Sequence, residues 1–268
     1  MKDLLESARE MLTKNVALPF AVYSSFKKQT LSNVPIAKPV LICVLEGTKF
    51  IGADNDVQCD SGSFVLLPNS PSIHLRNIPR GAEYFALLIE FELSDFECLP
   101  SLDGPTPGIL QADINEALQQ CLIQFVNCAN FIPKPLWASR RQEILLLLQH
   151  QYNHNLRNMA SHLELSHQVH RLISADLNAE ISSQLLADKL ALSESTLRRK
   201  LRAEGTSVQD IKDRVKLGTA LHMIQTSFTP IGVIAERCGY QSQSRFTDKF
   251  KQRFGLTPTA LRKTRMLD

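Results

Sequence analysis

Two stretches of the chain put cations and amides on one side of a helix and apolar anchors on the other. In ADKLALSESTLRRKLRAEG, residues 187–205, Ser195, Arg198, Arg199 and Arg202 stand at i, i+3, i+4 and i+7, so all four share a face. In AERCGYQSQSRFTDKFKQRFG, residues 235–255, Phe246, Phe250 and Phe254 recur every four residues, while Gln241, Ser244, Arg245, Asp248 and Gln252 point away from that stripe. Arginine can bond guanine bidentately in the major groove, and glutamine, serine and threonine can read other base edges. The chemistry on offer is therefore recognition by hydrogen bonds. The sequence shows no nucleophile–base pair, no paired carboxylates and no phosphate-binding glycine loop, so no enzyme activity and no cofactor are expected.

One basic amphipathic helix is most often a solvated face, but here the pattern recurs in one frame. Ala187 is followed by Ser193, Leu197, Leu201 and Gly205, and Ala235 by Ser242, Phe246, Phe250 and Gly255, with the two serines 49 residues apart. Each serine sits where an N-cap belongs, just before the periodic apolar positions. Each copy reads as helix, tight turn, helix, at about 183–204 and 231–254. Leu197 and Leu201, or Phe246 and Phe250, lock the second helix by one side, and the small Ala187 and Ala235 let the first helix pack near it. Gly239 removes a side chain where the two helices meet. A helix that offers such side chains from its amino-terminal half is what a helix-turn-helix reader of DNA requires.

The rest of the chain must hold these units. At 268 residues, two domains are expected. Residues 1–155 carry 12 Lys and Arg against 16 Asp and Glu, a balance of −4, and residues 156–268 carry 18 against 11, a balance of +7. The basic half is where a polyanion would bind. The amino terminus mixes charges of both signs and no apolar run approaches membrane-spanning length, so neither a signal peptide nor a membrane partner is expected and the chain reads as cytoplasmic. The six cysteines form no CxxC pair and have no metal-ligand spacing. They read as reduced, mostly buried thiols, with Cys121 and Cys128 the one pair worth testing for redox sensing.

From about Ala21 to Leu93 short β-rich segments alternate with turn formers, which predicts an antiparallel sandwich or barrel behind a short helix over residues 1–14. Two helices are expected next, from Gln111 to about Asn130 and from about Pro135 to Gln151, and the polar stretch from Asn153 to about Ser166 reads as the domain boundary. Four consecutive leucines, Leu145 to Leu148, exceed one narrow stripe. Burial within the domain and a homodimer contact are both open uses for them.

Residues 166–265 resemble the DNA-binding domain of the AraC/XylS family of transcription regulators. IGVIAERCGYQSQSRFTDKFKQRFGLTPTALR carries the resemblance through its Ile-Ala pair, Gly-aromatic turn, Ser-Gln-Ser start, Phe-x3-Phe spacing and closing Phe-Gly-x-Thr-Pro. The resemblance implies a seven-helix domain at 156–268. A central helix near Val208 to Gln225 would hold both recognition helices in successive major grooves, ~34 Å or ~10 bp apart. By position, Ser195, Arg198 and Arg199 would meet bases, with Thr196 and Arg202 nearer phosphates. In the second unit Gln243, Ser244, Arg245 and Thr247 would read bases, and Lys200, Lys249 and Lys251 would meet phosphates. Asp248 departs from the basic or polar residue often found there.

The resemblance also implies, over residues 1–155, a jelly roll similar to a cupin, followed by dimerisation helices. The expected class is thus α+β, with a β domain before an all-α domain. Metal-binding cupins use several histidines, whereas this strand region has His74 alone, so no metal is expected. Lys49, His74, Arg76 and Tyr84 are candidates for meeting an anionic effector in an apolar cavity. The expected function is a sequence-specific regulator, by expectation an activator, of double-stranded promoter DNA and RNA polymerase, controlled by a small-molecule effector or a regulatory protein. An effector-independent dimeric regulator or a repressor is the alternative.

Overall fold

A computed structural model describes residues 1–12, 17–160, 165–177 and 181–267. Helix α1 (Lys2–Leu12) precedes the strands β1 (Ala21–Ser25), β2 (Gln29–Ile36), β3 (Val40–Glu46), β4 (Thr48–Ile51), β5 (Val57–Asp60), β6 (Ser63–Leu67), β7 (Ser70–Ile78) and β8 (Tyr84–Glu90). Helix α2 (Leu93–Glu97) then leads to β9 (Leu110–Asp113). All pairings are antiparallel, in one sheet of order β1-β8-β3-β6-β9 and a second of order β2-β7-β4-β5. Turn residues supply the corners. At Gly47, with φ of 81°, a Cβ would lie 2.6 Å from the Ile78 carbonyl oxygen, so the tight turn between β3 and β4 requires glycine.

Strand β3, VLICVLE, reads as an unbroken apolar run because both of its faces are covered. Leu41, Cys43 and Leu45 join Phe64, Leu66, Phe85, Leu87 and Ile89 in a core capped by α1, α3 (Glu116–Cys128) and α4 (Trp137–Tyr152). Val40, Ile42 and Val44 face the other way, toward the second sheet and the helices of the carboxy-terminal half. Strand alternation thus sends every second residue to a different core.

The helix expected from Gln111 begins later. Residues Leu110–Asp113 pair with β6, Leu66 opposite Leu110 and Ser63 opposite Asp113, and the helix starts at Glu116, where the Asn115 side chain accepts the Leu118 amide at 3.0 Å. The leucine run in α4 is partly resolved in favour of intradomain burial. Leu145 and Leu148 are fully buried, Leu147 packs half-buried on the same core, and Leu146 is left exposed.

Seven helices follow among the described residues: α5 (Leu165–Ser174), α6 (Ser183–Lys189), α7 (Glu194–Ala203), α8 (Val208–Thr226), α9 (Ile231–Arg237), α10 (Gln243–Phe254) and α11 (Pro258–Lys263). The first unit, α6 and α7, has its own core with α5 and the start of α8. The second unit does not. Its Phe246, Phe250 and Phe254 share one continuous core with the far half of α8 and with Leu31, Val34, Leu75 and Val40 of the β domain. Polar contacts seal this seam: the Phe26 amide donates to the Thr264 carbonyl at 2.8 Å, Gln29 Nε2 donates to Thr264 Oγ1 at 2.7 Å, and Asn33 Nδ2 donates to the Arg253 carbonyl at 3.2 Å. The architecture is α+β, a cupin-like β domain followed by a helical domain with two helix-turn-helix units. None of the helices among the described residues is long and apolar enough to cross a membrane.

Candidate nucleic-acid interface

Each unit is built from the same local instructions. Ser193 Oγ accepts the Thr196 amide at 3.2 Å and Ser242 Oγ accepts the Arg245 amide at 3.3 Å, so both second helices begin at the serine that the repeated frame marks. Leu197 and Leu201 are fully buried in the first unit, as are Phe246, Phe250 and Phe254 in the second, where the rings stack edge-on at 5.7 and 4.6 Å between centroids. Both turns hold a left-handed residue four positions after the packing alanine: Gly239, with φ of 73°, and Ala191, with φ of 53°. In the first unit an ordinary residue takes a conformation that favours glycine, a feature sequence reasoning missed because alanine carries no turn signal.

With the apolar side locked, the remaining side chains are fixed in direction. On α7, Ser195, Arg198, Arg199, Lys200 and Arg202 are exposed, while Thr196 is half-buried and its hydroxyl accepts from Ser193 Oγ at 2.8 Å. Arg198 is paired with Glu194 at 2.5 Å along the helix. On α10, Gln243, Ser244, Arg245, Asp248 and Lys251 are exposed, and Thr247 is half-buried. Lys249 is turned toward the linking helix and pairs with Asp213 of α8 at 3.3 Å, which ties α10 to α8. Helix α8 spans the two units as expected, Val208 to Thr226.

The four effector candidates do not form one group. Lys49 and Tyr84 face the interior, where Lys49 Nζ lies 5.6 Å from the centre of the Tyr84 ring and donates to Asn77 Oδ1 at 2.8 Å. His74 and Arg76 lie on the other side of β7, because Lys49 pairs with Asn77 and Phe50 with Arg76, whose guanidinium stacks 4.8 Å from the Phe50 ring centre. Lys49 is only 2% exposed, and burial pulls its pKa down from 10.5 to about 8.

The cavity beside Lys49 is not sealed within the barrel. It has a volume of about 310 Å³ and lies between the β domain and α8, lined by Leu75, Lys49, Asn77 and Tyr23 on one side and by His222 and Gln225 on the other. Lys49 is linked onward through Asn77, whose Nδ2 donates to Gln29 Oε1 at 2.9 Å, and Gln29 exchanges hydrogen bonds with Gln225 of α8. Tyr23 meets His222 Nδ1 at 3.1 Å. Desolvation lowers the His222 pKa, and burial of His170 on α5 pushes it down to about 4. Sequence reasoning missed Gln29, Asn77, Gln225 and His222. Polar residues at inward positions of β2 and β7 were the available signal for the first two. No group of His, Cys, Asp and Glu that could hold a metal ion occurs among the described residues.

Residues 186–264 match a family model described as a helix-turn-helix domain. The HTH-type transcriptional regulator AdiY of Escherichia coli (strain K12) is 31% identical over 94 residues, 35% of this chain and 37% of AdiY. The HTH-type transcriptional activator RhaS of Escherichia coli O9:H4 (strain HS) is 28% identical over 171 residues, 61% of this chain and 60% of RhaS. The match thus spans less than two thirds of the length of either relative. An apo variant of ToxT from Vibrio cholerae strain SCE256 shares the fold over 94% of this chain and 99% of its own, with a TM-score of 0.68 at 14% identity. Wild-type ToxT from that strain, bound to an unsaturated fatty acid, aligns over 94% and 97% with a TM-score of 0.63 at 14% identity. With the Ser193 and Ser242 caps of one repeated frame inside the matched residues, that part of the chain is a helix-turn-helix domain similar to those of the regulators AdiY and RhaS.

Proposed function

We propose that the chain is a sequence-specific DNA-binding transcription regulator, and an activator, whose two helix-turn-helix units read successive major grooves of promoter DNA. The observation that carries this reading is the repetition of a serine-capped, apolar-anchored helix at both ends of α8, each copy turning arginine, serine or glutamine outward. The similarity to RhaS, an activator by its own description, supports the direction of control and with it a contact to RNA polymerase. In this reading Arg198 and Arg199, with Ser195, and Gln243, Ser244 and Arg245, with Thr247, meet bases, while Thr196, Arg202 and Lys249 serve the backbone.

The test is selection of duplexes from a random library by the full chain, followed by competition between the enriched duplex and an unrelated one. Replacing Arg198 and Arg199 by alanine should cost ~1–3 kcal/mol for each bidentate arginine–base pairing removed and flatten the preference. Unchanged discrimination would remove these residues from the reading role.

Control is proposed to enter through the cavity between the β domain and α8. Its lining is mixed: Leu31, Val34, Ile42 and Leu75 give it an apolar wall, Lys49 is its buried cation, and Lys38, Arg214 and the Glu90 carboxylate also line it. A carboxylic acid with an apolar tail would set its head at Lys49, away from Glu90, and the fatty acid bound by ToxT supports that class. Lys49 is the one of the four candidates that lines this cavity; Tyr84 packs behind it, and His74 and Arg76 lie outside it. An anion at Lys49 would compete for the proton-donor positions of its ammonium, and the chain of amides from Asn77 through Gln29 to Gln225 ties that atom to the helix that carries both readers. Oleic acid, as a representative probe, should raise the melting temperature of the wild-type chain and not of Lys49→Met. A homodimer would use the exposed Leu146 with Phe131 and Leu136, which are 44%, 81% and 52% exposed.

A further inference from the structure

A cleft floored by α8 lies between Leu177, Ile181 and Ser182, ahead of α6, and the second helix-turn-helix unit, whose Gly232, Glu236 and Gly239 also line it; no residue of α7 does. One face of α8 forms the floor: Gln209, Lys212, Asp213 and Lys216, at i, i+3, i+4 and i+7, all line an open space of about 1220 Å³. Ser182, the N-cap of α6, stands on one wall, and Gln241, Ser242 and Arg245 at the start of α10 stand on the other. The cleft therefore opens on the same side as the amino-terminal half of the second recognition helix.

Its charge favours an anion. Lys212, Lys216, Arg245 and Lys249 face the carboxylates of Asp213 and Glu236, and Asp213 is already engaged by Lys249 at 3.3 Å. Among the described residues no ion pair is formed by Lys212 or Lys216. Lys216 is nonetheless held in place: its Nζ lies 3.4 Å from the Gly239 carbonyl oxygen and 5.9 Å from the centre of the Tyr240 ring, over the turn that leads into α10. Gly239 itself is fitted to this arrangement, since a Cβ there would lie 2.8 Å from Lys216 Nζ and 3.0 Å from the Leu177 carbonyl oxygen.

A duplex that seats one recognition helix in each of two successive major grooves must present the minor groove between them to whatever joins the units. Helix α8 joins the units here, and its lysine face opens beside the start of α10. We propose that the linking helix is a third DNA-contacting element: Lys212 and Lys216 bind the sugar–phosphate strands that border the intervening minor groove. This rests on the proposed reading of DNA by α7 and α10. The two lysines set affinity and register and carry no sequence preference, because a phosphate is the same beside every base pair. Both ammonium groups can take up phosphate without an internal ion pair being broken first.

The experiment compares the wild-type chain with Lys212→Gln/Lys216→Gln, using the duplex that the wild type enriches from a random library and an unrelated duplex of equal length, across a salt series. Removing two phosphate-neutralising charges should reduce the slope of log affinity against log salt by about 1.8, so that between 50 and 200 mM salt the variant should lose about 12-fold less affinity than the wild type. Affinity at low salt should fall by a similar factor for both duplexes, leaving discrimination unchanged. Lys216→Arg with Lys212→Arg should restore the slope, which a purely structural role of the alkyl chains would not require. An unchanged slope in the glutamine variant, with its melting temperature intact, overturns the proposal while leaving the reading by α7 and α10 standing. Should the wild type enrich no duplex at all, the proposed function fails first and this inference with it.

Discussion

Lys49 offers a test of why a costly residue is kept. Its ammonium is 2% exposed, has one hydrogen bond, to Asn77, and is pulled from 10.5 to about 8 by burial. Below pH 8 both the folded and the unfolded chain hold the proton, so the penalty for burying charge is fully present. Between about 8 and 10.5 the unfolded chain binds more protons than the folded one, and stability rises with pH until the penalty is gone. At 1.36 kcal/mol for each tenfold change, the penalty at neutral pH is on the order of 3 kcal/mol. Lys49→Met fills a similar volume without charge and should therefore stabilise the unliganded protein at pH 7 by up to that amount, or roughly 6–12 °C in melting temperature for a chain of this size. The assay is thermal or urea unfolding of both proteins from pH 7 to 10.5. The gap should narrow steadily across the upper part of that range. A Met variant less stable than wild type at pH 7, or a gap that does not change with pH, would refute the reasoning from desolvation. A stabilised variant that no longer responds to oleic acid would show that the penalty is retained for binding.

Phe250 is fully buried in the core shared by α8, α10 and the β domain, so Phe250→Ala should cost ~3–5 kcal/mol in urea unfolding and should lower the stability of both regions together rather than of the helices alone. His170 faces Arg214, His167 and Lys38, and burial pushes it down to about 4 from 6.5. The unfolded chain binds its proton first as pH falls, so stability should decline between pH 6.5 and 4 by up to ~3 kcal/mol, and His170→Gln should flatten that decline in a pH series of unfolding curves.

The helical half was largely legible because its instructions are local. Ser193 and Ser242 cap, Leu197 and Phe246 anchor, and the frame repeats within one chain, so the limits of α7 and α10 follow from spacing, while those of α8 come from the family resemblance. The first turn hid its left-handed Ala191 because nothing in alanine announces that conformation. Residues 110–113 hid a strand because the run beside a helix start looks helical until β6 is known to need a partner; the cap at Asn115 was the available correction. Among the effector candidates, period-two alternation could have separated Lys49 from His74 and Arg76, since residues 49 and 77 face one way and residue 76 the other. The seam was beyond reach of sequence reasoning. Gln29 and Gln225 meet across 196 positions of chain, and no local pattern marks either as a contact.

Hydroxyl-radical footprinting of the full chain on its enriched duplex addresses the account most directly. Two protected major-groove segments centred about 10 bp apart on one face of the helix are expected, with protection extending over the sugars between them. A single protected groove, or two footprints on opposite faces of the duplex, would contradict it.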